Sequence, residues 1–237
     1  MRIHKTFIPW GPLLMLTLGA WLGSEPQPAD AATIYFNNFE GAVGAEWSNT
    51  STDVTPVGAR RFLGQFGAEA VSLSLGGLPA HSEVALELDL FTILTWDGTG
   101  EVLGFGPDIW TLSVGGGPTL LNTTFALHPQ QVQNYPDAFP GPTHPLATGA
   151  TEHNTLGYVY QLLEDPEDAV YHLSFTFPHS DSSLVLNFAG IGLQPIADES
   201  WGLDNVRVSI EQQVPEPGAI WLLATGMLAA YRRRKRI

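Results

Sequence analysis

The chain has no cysteine and almost no lysine. The first absence rules out a disulfide framework and a thiol nucleophile, so stability must come from core packing or bound ions. The two lysines, Lys5 and Lys235, lie at the ends, and residues 32–214 hold only three basic side chains: Arg60, Arg61 and Arg207. A phosphate-cradling P-loop is therefore missing its lysine, and the triplet Gly115–Gly117 joins two strand-like stretches rather than opening a helix. There is no G-x-S-x-G elbow and no H-E-x-x-H pair. No part of the middle carries a sustained helical period.

Acidic residues are plentiful. All of the 24 Asp and Glu except Glu25, Asp30 and Glu216 fall between 32 and 214, which sets twenty-one acids against three arginines. A body near −18 does not attract nucleic acid or anionic lipid over long range. It suits a soluble exported protein and supplies many hard oxygen donors for Ca²⁺. A solvated acidic surface is the plainer use of the same residues.

Both ends carry processing signals. Arg2, His4 and Lys5 precede an apolar run from Phe7 to Leu22, Ser24–Pro28 breaks it, and Ala29-Asp30-Ala31 is an A-x-A site. This predicts a secretory signal peptide over 1–31, cleaved after Ala31 by signal peptidase following Sec-dependent export. The alternative is an uncleaved anchor, although Pro9 and Pro12 shorten its helix. At the other end Pro215-Glu216-Pro217 precedes an apolar run, Gly218–Tyr231, and the basic tail Arg232-Arg233-Arg234-Lys235-Arg236. Fourteen residues make a helix of about 21 Å, short of the ~20 residues a stable span prefers. The basic tail keeps its end cytoplasmic under the positive-inside rule.

Residues 214–237 resemble the PEP-CTERM sorting signal of exported bacterial proteins. The resemblance implies processing near Pro215-Glu216-Pro217 by an exosortase, a membrane protease. Anchoring in the inner membrane is then transient, and the mature protein reaches the cell surface or extracellular matrix without a transmembrane helix. A generic tail anchor would look alike apart from the tripeptide.

The body, 32–213, reads as all-β. Thr33–Phe36, Ala70–Leu75, Val84–Ile93, Asp108–Val114, Thr119–Ala126, Tyr171–Phe177, Leu184–Ala189 and Leu203–Ile210 are short alternating or apolar runs separated by Gly, Pro and Asn turns. Leu127–Thr155, rich in proline and poor in alternation, reads as one long loop. The pattern predicts a single jelly-roll-type β-sandwich with first and last strands side by side.

Three sets of residues are candidates for chemistry. Phe39-Glu40-Gly41 near the first strand and Leu203-Asp204-Asn205-Val206 entering the last resemble the ends of lectin-like and carbohydrate-binding jelly rolls of bacterial surface proteins. That resemblance implies a Ca²⁺ held by Glu40 and Asp204, with Asn38 or a backbone carbonyl assisting; the plainer reading is an Asx turn and a loop acid. Trp96 beside Asp97 could form a sugar platform, ring face for stacking and carboxylate for hydroxyls. The alternative is a turn whose Asp caps the backbone, while Trp110 belongs to the core. Paired acids, Glu87 with Asp89 and the crowd Glu164, Asp165, Glu167 and Asp168, could suggest a glycosidase. In so acidic a chain such pairs arise by chance, and the loop crowd is expected to stay solvated.

The expectation is a non-enzymatic cell-surface or matrix protein that binds extracellular polysaccharide. A secreted polysaccharide hydrolase and a self-associating structural component are the alternatives.

Overall fold

The structure, a computed structural model, describes residues 31–100, 105–160 and 165–212. The signal peptide apart from Ala31, the sorting signal with its hydrophobic helix and basic tail, and Glu164 lie outside the described residues.

Thirteen strands follow in chain order among the described residues: β1 (Ala31–Asn37), β2 (Thr52–Val54), β3 (Arg61–Phe66), β4 (Ala70–Gly76), β5 (His81–Leu94), β6 (Ile109–Val114), β7 (Thr119–Thr124), β8 (Val132–Gln133), β9 (His144–Pro145), β10 (Glu152–His153), β11 (Asp168–Pro178), β12 (Ser183–Ile191) and β13 (Glu199–Gln212). One sheet runs β10-β11-β5-β13-β3-β2, the other β4-β12-β6-β7, and β8-β9 form a small separate ladder. Among the eight principal strands β3 pairs with β13, β4 with β12, β5 with β11 and β6 with β7, all antiparallel. First with last, second with seventh, third with sixth, fourth with fifth: this nested pairing is the jelly roll. It rests on the strand order of this chain alone.

The long last strand has room for two partners on one edge. β3 takes Trp201–Leu203, and β1 takes Val206–Glu211 in the register Asn37↔Val206 to Ala31↔Glu211. The two ends of the body thus lie side by side, as their sequence patterns predict.

Alternation explains most of the core. On β5, Val84, Leu86, Leu88 and Leu90 are fully buried, and they meet Leu73, Leu112, Leu184, Leu186 and Phe188 from the opposite sheet side in one cluster. Each such side chain contributes roughly 1.5–3 kcal/mol on leaving water. Between them Glu87 and Asp89 face outward, where Asp89 Oδ1 lies 2.8 Å from His172 Nδ1 and Arg207 approaches Glu87 at 3.8 Å.

One region departs from alternation. β3 is buried at four of six positions, including Phe62 and Leu63 in succession. Leu63 points into the core, while Phe62 belongs to a second cluster with Phe91, Ile93, Leu156, Tyr158 and Val170 on the outer side of the same sheet. Leu156 and Tyr158, which follow the Leu127–Thr155 stretch, cover that face, while Leu127, Tyr135, Ala147 and Ala150 of the stretch itself pack against the main core. A side chain on Gly202 would come within 2.3 Å of the Phe62 ring, so glycine lets the ring lie against the strand.

Candidate functional site

The organising feature is a set of three carboxylates where β5 ends and where β6 and β13 begin. Leu94 leaves β5 in a left-handed conformation, φ 67°. The chain after it is pinned to the start of β13: Thr95 N donates to the Asp198 carbonyl at 3.0 Å, and Trp96 Nε1 to the Ser200 carbonyl at 2.9 Å. Asp97 then turns inward. Gly98 (φ 65°) crosses so near Val132 that any Cβ would fall 2.0 Å from its carbonyl oxygen. Asp108 N donates to Gly98 O at 2.8 Å, which fixes the entry to β6.

Asp97, Asp108 and Glu199 each place a carboxylate oxygen within 4.8 Å of the other two. Their exposures are 5%, 0% and 0%. Asp97 Oδ1 accepts from Gln131 Nε2 at 3.1 Å and Oδ2 from Gln194 Nε2 at 2.9 Å. Glu199 accepts from Gln194 Nε2 at 3.0 Å and from the Gln194 backbone N–H at 2.6 Å. Asp108 Oδ2 takes the Asp97 N–H in a short hydrogen bond, while Asp108 Oδ1 is buried without a partner. The amide oxygen of Gln131, a side chain 2% exposed, is also buried without a partner. A buried acceptor with no donor costs on the order of 1–3 kcal/mol.

Among the described ion pairs none involves the three acids; Arg60 and Arg207 are engaged with Glu152 and Glu87. Burial, and then mutual repulsion, push the Asp108 and Glu199 carboxyls well above the ordinary carboxylate range. Glu167 stands beside the set, 6% exposed, its two oxygens without hydrogen-bond partners and His128 Nδ1 at 3.6 Å. Burial raises this carboxyl as well, and the neighbouring His128 opposes the rise. Three carboxylates with carboxamides around them form the donor set of a hard divalent cation.

The sequence-predicted residues fall as follows. Trp96 is fully buried, edge-on to Phe125, so it offers no face to a sugar. The β5 exit is covered from both sheets, which turns the expected platform into core. Asp97 belongs to the carboxylate set rather than to a surface beside Trp96. Trp110 is core, packed against Phe188 and Trp201. The expectation that the 164–168 acids stay solvated fails for Glu167 and for Asp168, which is 0% exposed. Asp168 instead accepts the backbone N–H groups of Thr155, Leu156, Gly157 and Tyr158 at 2.8–3.1 Å and ties the covering loop to β11.

At the other candidate site Asn38 Oδ1 accepts the Glu40 N–H at 3.4 Å, and Glu40 Oε1 the Arg61 N–H at 3.1 Å. Asp204 is 5% exposed and accepts the Asn205 N–H at 2.7 Å. Burial pushes the Asp204 carboxyl up to about 6, with Asp89 and Glu40 adding to the rise and Arg60 opposing it. Among the described residues this region does not gather three carboxylate or imidazole donors as the loop set does.

Sequence alone does not single out Glu199, and it offers Asp108 only as one of the acids near Trp96 and Trp110, yet a signal exists for both. Each stands two residues before a buried tryptophan, Trp110 and Trp201, so strand alternation places both acids on the core face.

Above the carboxylates the same loops carry an exposed rim. Phe105 is 59% exposed, Ile191 49% and Ile196 48%. The Phe105 carbonyl lies against Gly100, and Pro107 against Gly192, so the rim segments are neighbours. Tyr160 stands by Asp198, whose charge raises its hydroxyl.

Fold and site together define a jelly-roll β-sandwich with a buried acidic centre at one end. Residues 213–236 match the PEP-CTERM protein-sorting motif, which implies an exported protein that an exosortase processes. No curated protein matches the chain. Solved structures similar to it include the CBM22-1 xylan-binding domain from Paenibacillus barcinonensis, at 16% identity and TM-score 0.38 over 80% of this chain and 100% of that one. A carbohydrate-binding module from Cellvibrio mixtus lichenase 5A, in complex with cellotriose, gives 14% and 0.36 over 76% and 99%. An exo-β-1,3-galactanase from Phanerochaete chrysosporium gives 12% and 0.33 over 76% of this chain and 29% of the enzyme.

Proposed function

We propose that the body is a non-enzymatic carbohydrate-binding jelly roll, delivered to the cell surface or extracellular matrix by its sorting signal, and that it contacts polysaccharide at the loop end carrying Phe105 and Tyr160. The observation that carries this reading is the exposed Phe105 ring on a loop whose other end is anchored by buried Asp108. A rigidly anchored loop presenting an aromatic face is what stacking on a pyranose requires. Asp198 beside Tyr160 supplies an acceptor for sugar hydroxyls. The acids that could serve hydrolysis lend themselves poorly to it. Asp97, Asp108 and Glu199 are sealed from a glycosidic oxygen, and Glu87 and Asp89 sit on the outer sheet face against Arg207 and His172.

The test is a glycan array and a panel of chromogenic glycosides, applied to the full chain in mild detergent. Binding without turnover, weakened about tenfold or more by Phe105→Ala, is the expected outcome. Turnover abolished by a single carboxylate change would establish the hydrolase instead. Self-association with neither binding nor turnover would favour a structural role.

A further inference from the structure

Among the described residues no lysine or arginine pairs with the buried acids at the β5, β6 and β13 junctions. Lysine is absent from the whole body, and two of the three body arginines are paired elsewhere. We propose that Asp97, Asp108 and Glu199 bind one Ca²⁺ ion, which ties the end of β5 to the starts of β6 and β13. This site is separate from the pair Glu40 and Asp204, and it stands whether or not the loop end binds sugar.

Geometry and donor chemistry carry the assignment together. The three carboxylates come from the ends of three different strands, yet their oxygens lie within 4.8 Å of one another. Oxygens so spaced can surround a centre at the 2.3–2.6 Å typical of Ca²⁺–oxygen bonds. Mg²⁺ needs shorter bonds in strict octahedral order and keeps several waters, which a 0–5% exposed set does not favour. Soft metals have no thiolate or imidazole among the three.

A second observation points to a ligand independently of the acids' proximity. Gln131 is 98% buried in effect, with 2% exposure, and its amide nitrogen rests on Asp97 Oδ1 at 3.1 Å. The oxygen of that same amide group is buried and has no hydrogen-bond donor. Asp108 Oδ1 likewise has none. Buried acceptors are normally satisfied. A Ca²⁺ ion among the carboxylates would give Asp108 Oδ1 its missing partner, and a carboxamide oxygen such as that of Gln131 is an ordinary further ligand. Gln194 then has a defined part: it bridges Asp97 and Glu199 through one amide nitrogen and holds the two carboxylates in a fixed relation. It is a positioning residue.

The site has a built-in reporter. Trp96 adjoins Asp97, Trp110 is two residues from Asp108, and Trp201 is two residues from Glu199, all three indoles fully buried. Tb³⁺, a luminescent stand-in for Ca²⁺, should therefore be sensitised by tryptophan excitation. The experiment takes the full chain in mild detergent, strips it with EGTA, and titrates it with Tb³⁺ and then with competing Ca²⁺. Expected are one sensitised site, displacement by Ca²⁺ and much more weakly by Mg²⁺, and a melting temperature that rises with Ca²⁺ and falls with chelator. Asp97→Asn and Glu199→Gln should each weaken Ca²⁺ at least about tenfold, by analogy with the losses that follow disruption of a metal's ligand surroundings. Glu40→Gln and Asp204→Asn should leave the titration unchanged. Should the first two variants fail to fold, the wild-type protein decides: Ca²⁺ retained through dialysis, with a chelator-sensitive melting point and a tryptophan-sensitised signal, upholds the site. No retained metal and no change in melting temperature with EGTA would overturn it. So would a Tb³⁺ signal that survives Asp97→Asn and is lost in Asp204→Asn.

Discussion

The molecule holds two acidic places of opposite character. At the joined ends of the body, Glu40 and Asp204 stand in short motifs and are already answered: Glu40 by the Arg61 N–H, Asp204 by the Asn205 N–H and the nearby Arg60. At the other loops, Asp97, Asp108 and Glu199 come from three separate segments, and among the described hydrogen bonds they are answered by glutamines and by one another. The first place looks like a cation site in sequence, the second in space. A metal site is distinguished by donors left without counter-charge, and only the fold shows which donors those are.

Several measurements would sharpen or break this contrast. The largest effect belongs to Asp108→Ala. In saturating Ca²⁺ it removes a ligand and leaves two buried carboxylates facing a weakened ion, a loss of about 3–5 kcal/mol by analogy with broken buried pairs. At 2–4 °C per kcal/mol for a domain of this size, that lowers the melting temperature by roughly 6–20 °C. In chelator the same change relieves repulsion but leaves the Asp97 N–H without its acceptor, so the loss should be smaller, about 1–3 kcal/mol. Calorimetry under both conditions measures the difference, and an equal loss in both would count against the ion.

Next comes pH. The folded-state carboxyl of Asp204 lies at about 6, above the ordinary ~3.9, so the folded state holds that proton more tightly than the unfolded. Its contribution is fully present below about pH 4 and is lost as pH rises through 6, an effect on the order of 2 kcal/mol. Asp204→Asn should flatten the stability profile between pH 4 and 6 by about that amount, measured by denaturant titration in chelator. A profile that keeps its slope would place the proton elsewhere. Gln131→Leu should matter less. It deletes one unpartnered oxygen and one hydrogen bond to Asp97, weakening Ca²⁺ by about tenfold while the apo protein loses about 1 kcal/mol. Glu40→Gln is the smallest, within ~0.5 kcal/mol with the Ca²⁺ response intact, because the side chain is exposed and its amide partner can be kept.

Much of the fold was legible in the residues. β4 and β12, with Val84–Leu90 of β5 and Tyr171–Phe177 of β11, alternate because one face meets the core and the other meets water or a polar neighbour, and period-two patterns report that directly. β3 was not legible. Phe62 is buried on the outer face beneath Leu156 and Tyr158, so both faces are apolar and the period vanishes. Trp96 misled for a related reason: a tryptophan in a Gly-rich turn looks exposed until the opposite sheet closes over it. Asp108 and Glu199 could have been placed. Their phase with Trp110 and Trp201 puts them inward, and an inward acid at a strand start needs a partner. What no spacing could supply was the meeting of three segments some ten and ninety residues apart, which the nested pairing of strands brings about.

The most direct measurement is a crystal structure of the protein grown in Ca²⁺, with the ion located by its anomalous scattering. The expected result is one ion with Asp97, Asp108 and Glu199 oxygens at about 2.3–2.6 Å and the Gln131 amide oxygen turned toward it. An ion at Glu40 and Asp204 with the loop carboxylates bare, or those carboxylates sharing protons with no ion among them, would contradict it.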